Sequence, residues 1–397
     1  MPQGNSTARR NLRVLVVVEN MSFTYDTRVK NIARTLTRAG CRVWVISPRY
    51  PGDPFRRKDN GVTALFYPLP PLPDGFIGHM LEYAISFISI ALIAFATFIT
   101  VRFDVIHICN PPDIFFPLGR LYRLFGAKFV YDLHDLCPEL WDARYQGSRV
   151  VQKILLSLER STANAANMVL TTSETARQRI QGRTGVDAGH VTLVRNGPDL
   201  NSFPPPANAA GAEIIEVGYV GDMNPQDGID NLLAAAQYLR YSLGRTNLRY
   251  TLIGDGSALE TLKEAARKLG IADVVEFTGR MRHKEAMERL ARCAFCVQPD
   301  LKNGFNDSCV MVKSLEYMAL GKSLAAFDLS ETQTVCGDAA LYATENDPRS
   351  LATQIIRLAD DPALRRRLGE LGRQRIEEGL AWSFSEKRLL EAYRTLE

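Results

Sequence analysis

The sequence predicts an α/β protein of two doubly wound parallel sheets facing across a cleft, and three observations predict it. Short β-branched apolar runs alternate with stretches of helical period along the whole chain, the pattern of parallel strands joined by crossover helices. The 397 residues exceed one ordinary domain and suit two. The alternation is interrupted once, at residues 196–213, where NGPDLNSFPPPANAAGAE reads as a linker. The organisation expected is an N-terminal domain over 1–200 carrying an apolar segment at 76–101, a C-terminal domain over 214–384, and a closing helix at 385–397.

In the first half, the run at 14–18 is continuously apolar, as a strand buried on both faces must be. Residues 26–39 have helical spacing through Val29, Ile32, Ala33 and Leu36, and Gly40 follows as a stop. Further strands are expected at 43–46, 104–108, 128–131 and 168–170, with helices at 117–125 and 151–166. The second half repeats the pattern. Strands are expected at 216–219, 249–253, 274–278, 295–298, 323–327 and 340–342. Helices are expected at 227–243, 257–269, 284–292, 312–320, 348–359 and 361–378, before the last one at 385–396. In such sheets ligands sit outside the carboxyl ends of the strands.

Hydrophobic residues are 46% and charged residues 23% of the chain, which excludes a disordered or collagen-like protein. Seven cysteines are too few for a disulfide scaffold. They fall mostly in apolar runs and read as buried hydrophobes of a reducing compartment. Cys293 and Cys296 form a C-x-x-C without a second pair or a nearby histidine, which is weak support for zinc or redox chemistry. A net charge of +4 is too mild to argue for nucleic acid. Its distribution is uneven: residues 1–200 carry 24 Lys+Arg against 16 Asp+Glu, and the remainder 24 against 28. The first half therefore suits an anionic partner, or the imbalance is chance scatter of surface charge. No secretory signal is visible in the polar first 13 residues, so a cytoplasmic location is expected.

The segment from Tyr83 to Val101 runs without a charge between Glu82 and Arg102. Three readings stay open: a helix buried in the α/β domain, a helix laying one apolar face on a membrane, and a span of the ~30 Å hydrocarbon. Arg56, Arg57 and Lys58 would suit an anionic lipid surface, or form an ordinary solvated loop.

The stretch DLKNGFNDSCVMVKSLEYMALGKSLAA (300–326) is the richest in chemistry. A polar loop leads into an amphipathic helix that Gly321 ends. Amides at such a helix start are unpaired and carry partial positive charge, which suits phosphate. Lys313 adds a cation. Glu316, about one turn further on, can accept from two neighbouring hydroxyls, as on a ribose. The plainer reading is a polar loop with Asn306 or Asp307 as N-cap and Glu316 as a surface acid. Gly254, in a Gly-Asp-Gly turn, and Gly279-Arg280 both follow strands and would let backbone approach a ligand. His134 follows the run FVYDL, with Asp132 and Asp135 beside it, where a histidine can bond a hydroxyl or phosphate oxygen. His107 lies inside a strand and reads as a core residue or as one that supports a site residue from behind. His79, His190 and His283 have no supporting context. No pattern supports a bound metal, and the first strand is not followed by G-x-G-x-x-G.

Together the blocks DTRVKNIARTLTRAGCRVWVIS, DVIHICNPPD, YDLHDLCPE, VRNGPD, VGYVGDMNPQDGIDNLLAA, YTLIGDGSALETLK, FTGRM and NDSCVMVKSLEYMALGKS resemble glycosyltransferase family 4, and within it a bacterial-type subgroup of surface-polysaccharide enzymes. The resemblance covers nearly the whole chain. It implies the GT-B fold of two Rossmann-like domains and retaining transfer of a sugar from a nucleotide-diphosphate donor, UDP by preference, with no cofactor and no obligatory metal. Glu316 matches the family's ribose-holding glutamate. Ser308, Cys309 and Val310 match the loop whose amides meet the diphosphate, Gly279, Arg280 and Met281 the strand end that lines the base, and His134 the histidine near the donor sugar. Asn306, Asp307, Lys313 and Gly254 complete the donor side; Tyr25, Arg28 and Asp135 are assigned to the acceptor side.

Two departures stand out. The family's glutamate eight places before Glu316 is replaced by Ser308. The family's Arg and Lys after the first strand of the second domain are replaced by Asp222 and Asp227, so that Lys313 or Arg28 is expected to neutralise the diphosphate. The function expected is transfer to a lipid-linked saccharide acceptor by a protein peripheral to the inner face of a membrane. A non-catalytic scaffold or regulatory subunit of the same fold is the alternative.

Overall fold

The computed structural model describes residues 11–72, 75–145, 148–204 and 213–396. Residues 205–212 of the expected linker lie outside them. The chain divides into two compact units: Met1–Trp141, Gly147–Val194 and Ser385–Glu397 form the first, and Asp142–Gln146 with Arg195–Phe384 the second.

The first unit alternates β1 (Arg13–Val17), α1 (Thr27–Arg38), β2 (Arg42–Pro48), β3 (Arg56–Asp59), β4 (Val62–Tyr67), α2 (Phe76–Val101), β5 (Val105–Cys109), α3 (Phe116–Leu124), β6 (Lys128–Leu133), α4 (Cys137–Tyr145), α5 (Arg149–Ala165), β7 (Met168–Thr171), α6 (Glu174–Thr184) and β8 (Val191–Leu193). The eight strands lie in the order β3-β4-β2-β1-β5-β6-β7-β8. All neighbours are parallel except the β3–β4 pair. The reason these runs become strands is plain in β5, β7 and most of β1, whose residues are buried on both faces. Asp26 caps α1 by accepting from the Val29 amide at 2.9 Å. One continuous core joins Leu15, Ile46, Ile106 and Phe129 of the sheet to Ile90 and Phe98 of α2, Leu118 of α3 and Ala163 of α5.

The strand order reverses between β1 and β5, so the carboxyl ends of those two strands form this unit's topological switch point, where sheets of this kind place ligands. Arg56, Arg57 and Lys58 are strand residues and not a loop. β3 is the antiparallel edge strand, where charge is the usual protection against pairing with other chains. Arg57 is engaged, donating to the Thr24 hydroxyl at 3.1 Å and lying 3.7 Å from Asp53.

The second unit comprises β9 (Ile215–Val220), α7 (Ile229–Gln237), β10 (Leu248–Ile253), α8 (Leu259–Lys268), β11 (Val275–Gly279), α9 (His283–Arg292), β12 (Phe295–Gln298), α10 (Val312–Ala319), β13 (Leu324–Phe327), α11 (Ser330–Cys336), β14 (Ala340–Ala343), α12 (Pro348–Asp360) and α13 (Pro362–Arg375). Its sheet is wholly parallel, ordered β11-β10-β9-β12-β13-β14. The order reverses between β9 and β12, which fixes a second switch point. α14 (Trp382–Arg394) closes the chain, and its residues from Ser385 belong to the first unit. All seven cysteines are free. Burial pushes the Cys293 thiol up to about 12, so the C-x-x-C pair is inert packing.

Candidate functional site

In the second unit, the carboxyl ends of β9, β10 and β11 bring Gly221, Gly254 and Gly279 together. The Gly221 amide donates to Ile253 O and the Gly254 amide to Gly279 O, each at 3.1 Å. A Cβ on Gly254 would lie 1.8 Å from Gly221 O, and its φ is +145°. Only glycine fits there, which keeps the strand ends flat and open to a ligand.

Beside this rim, at the switch point, stands Lys313 on the first turn of α10. It is buried, donates to Asp300 Oδ1 at 2.7 Å and to the Tyr219 hydroxyl at 3.2 Å, and lies 3.6 Å from Asp227. Burial alone would strip its proton, but Asp300, Tyr219 and Asp227 outweigh burial and hold the amine charged well above its ordinary range. Lys313 thus places a buried cation beside this switch point. Its charge is matched within the protein, and one of its partners is the acid that stands where the family has a lysine.

The expected N-caps do other work. Asn306 is buried and donates to Gln226 O and Leu301 O at 2.8 Å each. Asp307 accepts from the amide and hydroxyl of Ser330 at the start of α11. Ser308 donates to Phe305 O at 2.7 Å. The turn Asn306–Ser308 is therefore locked, and Cys309 and Val310 lead from it into α10. No side chain caps α10, so its first-turn amides keep the positive end of the helix dipole for a ligand.

Glu316 lies one turn in and is 13% exposed, with Oε1 accepting from His283 Nε2 at 2.8 Å. His283 opens α9 and meets the Phe203 ring edge-on at 5.6 Å. Arg280 and Met281 are exposed in the loop before it. Local pattern could not single out His283, whose partner comes from 33 residues away.

In the first unit the centre is Asp132, fully buried at the end of β6. Arg28 grips it with Nη2 to Oδ1 at 2.6 Å and Nε to Oδ2 at 3.0 Å. His134 Nε2 reaches Oδ2 at 2.9 Å and His107 Nε2 at 3.2 Å. Burial alone would push Asp132 up, but Arg28, His134 and His107 outweigh it and hold the carboxyl well below its usual range. A carboxylate only accepts, so both Nε2 atoms donate. In the neutral His107 ring Nδ1 then accepts from the Tyr393 hydroxyl of α14, at 2.6 Å. In a neutral His134 ring Nδ1 is then the acceptor, and the residue's own amide donates to Asn110 Oδ1 at 2.7 Å. Asp135 is held at its backbone by the same asparagine.

Arg28 corrects the expectation made of it. It is 4% exposed, its charge is taken by Asp132, and it also donates to Val194 O at 2.7 Å. Its guanidinium is directed at Asp132, so the exposed cation expected here is instead a buried partner of a carboxylate. His107 fits both readings expected of it, a core residue and one that braces Asp132 from behind. His107, Cys109 and Asp132 bring three ligand-type atoms within 4.8 Å of one another, yet Arg28 already supplies the cation there. Tyr25 is half exposed, with its ring 5.8 Å from that of Tyr50.

Glu19, just past β1 at the switch point, was not singled out by the sequence. It is 3% exposed and its Oε1 has no partner. Burial pushes its carboxyl up to about 7 from the ordinary 4.5, the Ser86 hydroxyl opposing and Glu82 reinforcing the rise. A raised carboxyl favours the fold while protonated, so this contribution is lost as the pH climbs from 4.5 to about 7. By that shift, Glu19→Gln is expected to be more stable than the native chain at pH 8 by roughly 3 kcal/mol, and about equal to it near pH 4.5. Urea unfolding at both pH values checks this; an equal difference at the two would refute it.

Comparison with known proteins agrees with the geometry. The family model described as "Glycosyl transferase 4-like domain" matches residues 24–197, and that described as "Glycosyl transferases group 1" matches 215–361. A glycogen synthase of Mycobacterium tuberculosis is 25% identical over 285 residues, 71% of this chain and 66% of that protein. A D-inositol 3-phosphate glycosyltransferase of Thermomonospora curvata is 27% identical over 68% of this chain and 66% of its own length. The chain thus spans just under two thirds of these relatives. Sucrose-phosphate synthase of Thermosynechococcus elongatus superposes with a TM-score of 0.80 at 21% identity, over 97% of this chain and 99% of that one. The Anabaena protein HepE in complex with UDP and glucose does so with 0.73 at 15%, over 97% and 100%. These two likenesses speak for the fold. With a 4-like domain followed by a group 1 domain, each on its own doubly wound sheet, the chain belongs to the glycosyltransferases of the GT-B fold.

Proposed function

We propose that the protein is a retaining, metal-independent glycosyltransferase that moves a sugar from a nucleotide-diphosphate donor, a UDP-sugar first of all, to a lipid-linked saccharide in cell-surface polysaccharide or glycoconjugate assembly. The observation that carries this reading is the group at the second unit's switch point: the uncapped start of α10, the glycine rim, and Glu316 one turn in. Cleaving a glycosyl–phosphate bond leaves negative charge on the diphosphate. Preorganised amides are suited to stabilise it. Glu316 can hold the ribose; in the first unit, the Nδ1 of His134 is able to accept from a sugar hydroxyl. Retention fits a mechanism in which the leaving phosphate itself assists deprotonation of the acceptor on the same face. The long apolar helix of the first unit supports an acceptor borne on lipid.

One observation favours the second reading, a non-catalytic subunit of the same fold. The cations Lys313 and Arg28 are both matched by buried carboxylates. A thermal-shift screen of nucleotide sugars followed by assay of nucleoside diphosphate release separates the two. A true donor at 100 times its dissociation constant should add ~2.7 kcal/mol of stability and release diphosphate with a lipid-linked acceptor. Binding without release would leave the scaffold. No stabilisation by any donor would end the transferase reading.

A further inference from the structure

α2 is apolar on two faces, for two different reasons. Its inward face, with Ser86, Ile90, Ala94, Thr97 and Phe98, is buried. Phe98 packs edge-on to Phe103 at 5.0 Å and against Tyr122 at 5.1 Å. Its outward face presents Ile88, Leu92, Phe95 and Ile99, each 59–64% exposed. Their spacing of three and four residues makes one stripe, about 17 Å long at ~1.5 Å per residue. The stripe continues sideways. The Phe125 ring lies 5.8 Å from Phe98, and Leu121, Leu124 and Phe125 at the end of α3 are 43%, 83% and 62% exposed. α3 packs on α5, where Val150 and Ile154 are exposed in turn. Soluble monomers rarely leave so broad an apolar surface uncovered.

The charges on this layer are one-sided. Beyond Glu82, α2 has none, and exposed Arg102 ends it. α3 carries only Arg120 and Arg123, both exposed. α5 exposes Arg149, Lys153 and Arg160, and its one acid, Glu159, is buried. An apolar stripe flanked, beyond Glu82, by positive charge matches the acyl boundary and headgroups of an anionic bilayer. A second copy of the chain would set these cations against each other, a like-charge cost. A transmembrane arrangement would pull Ile90, Ala94 and Phe98 out of the core they share with the sheet.

We infer that the α2–α3–α5 face docks in the plane of an anionic lipid surface, with Ile88, Leu92, Phe95 and Ile99 in the acyl boundary and the arginines and lysine of α3 and α5 among the headgroups. Such docking would bring the first unit to a lipid-borne acceptor. In its purpose it rests on the proposed glycosyl transfer, and in its physical basis it does not.

The test is co-sedimentation of the full chain with vesicles of phosphatidylcholine, alone or with one third phosphatidylglycerol, alongside the thermal-shift screen of nucleotide sugars. Binding to the anionic vesicles is expected, weaker by about tenfold at about 0.5 M salt and with the neutral vesicles. Leu92→Ser with Phe95→Ser, and separately Arg120→Glu with Lys153→Glu, should each lower the anionic partition about tenfold at unchanged melting temperature. All four sites are exposed, so these variants keep the core. Vesicle binding without a nucleotide shift would sink the transferase reading alone. A nucleotide shift without vesicle binding would sink the docking alone. A concentration-dependent dimer abolished by the serine pair would overturn it in favour of a second copy.

Discussion

Glu316→Ala is expected to weaken UDP binding by about 10- to 100-fold, the range given by ~1.5–3 kcal/mol for hydrogen bonds to a charged acceptor. The expectation follows from where the carboxylate stands. It is 13% exposed, and His283 engages only its Oε1. One acceptor oxygen is therefore fixed in direction by a neighbouring ring, and a carboxylate so held can accept from two ribose hydroxyls at once. α10 starts one turn earlier and has no side-chain cap, so a diphosphate at the amides puts the ribose within reach of Glu316. Titration calorimetry with UDP and with its 2′,3′-dideoxy analogue makes this specific. The penalty of the alanine variant should be large for UDP and nearly absent for the analogue, which has no hydroxyls to donate. Equal affinity of Glu316→Ala and the native chain for UDP would refute the assignment. His283→Ala should cost less, since it loosens the carboxylate without removing it.

The frame of both sheets was legible because parallel strands buried on both faces leave a dense signal. Runs such as VLVVV and VIHIC have no other stable home in a soluble chain, and β1, β5, β10 and β12 stand within a residue of where the runs place them. The β3–β4 pairing was illegible for the opposite reason. RRKD is an exposed edge, and edge strands take charge where core strands exclude it.

The donor side was legible as a cluster in sequence, since residues 306–316 all lie on one loop and helix. The individual contacts were not. Lys313 finds Asp227 and Asp300 only when β9 and β12 become neighbours. Arg28 lies 104 residues from Asp132, and Tyr393 lies 286 from His107. Local pattern carries no information about such partners. The sequence could supply the chemistry of Arg28 but not its burial, and burial turns a cation for substrate into one that holds a carboxylate.

That burial sets the second large effect. Asp132→Asn is expected to destabilise the protein by about 3–5 kcal/mol, the cost of breaking a buried pair by removing one partner. The neutral amide leaves the guanidinium of Arg28 without a counter-charge in a fully enclosed place, and it cannot accept from Arg28, His107 and His134 together. The pH dependence identifies the cause. Asp132 is held well below its usual range, so its contribution is fully present above the unfolded carboxyl value of ~3.9 and is lost as the pH falls towards the folded one. The gap between native and variant chains in urea unfolding should therefore be widest near neutral pH and narrow on acidification below pH ~4. Replacing both Arg28 and Asp132 by leucine should recover part of the loss, because no charge is then stranded. A single asparagine variant within 1 kcal/mol of native at pH 7 would mean that water reaches Arg28, and would remove Asp132 as the fixed point on which His134 is oriented.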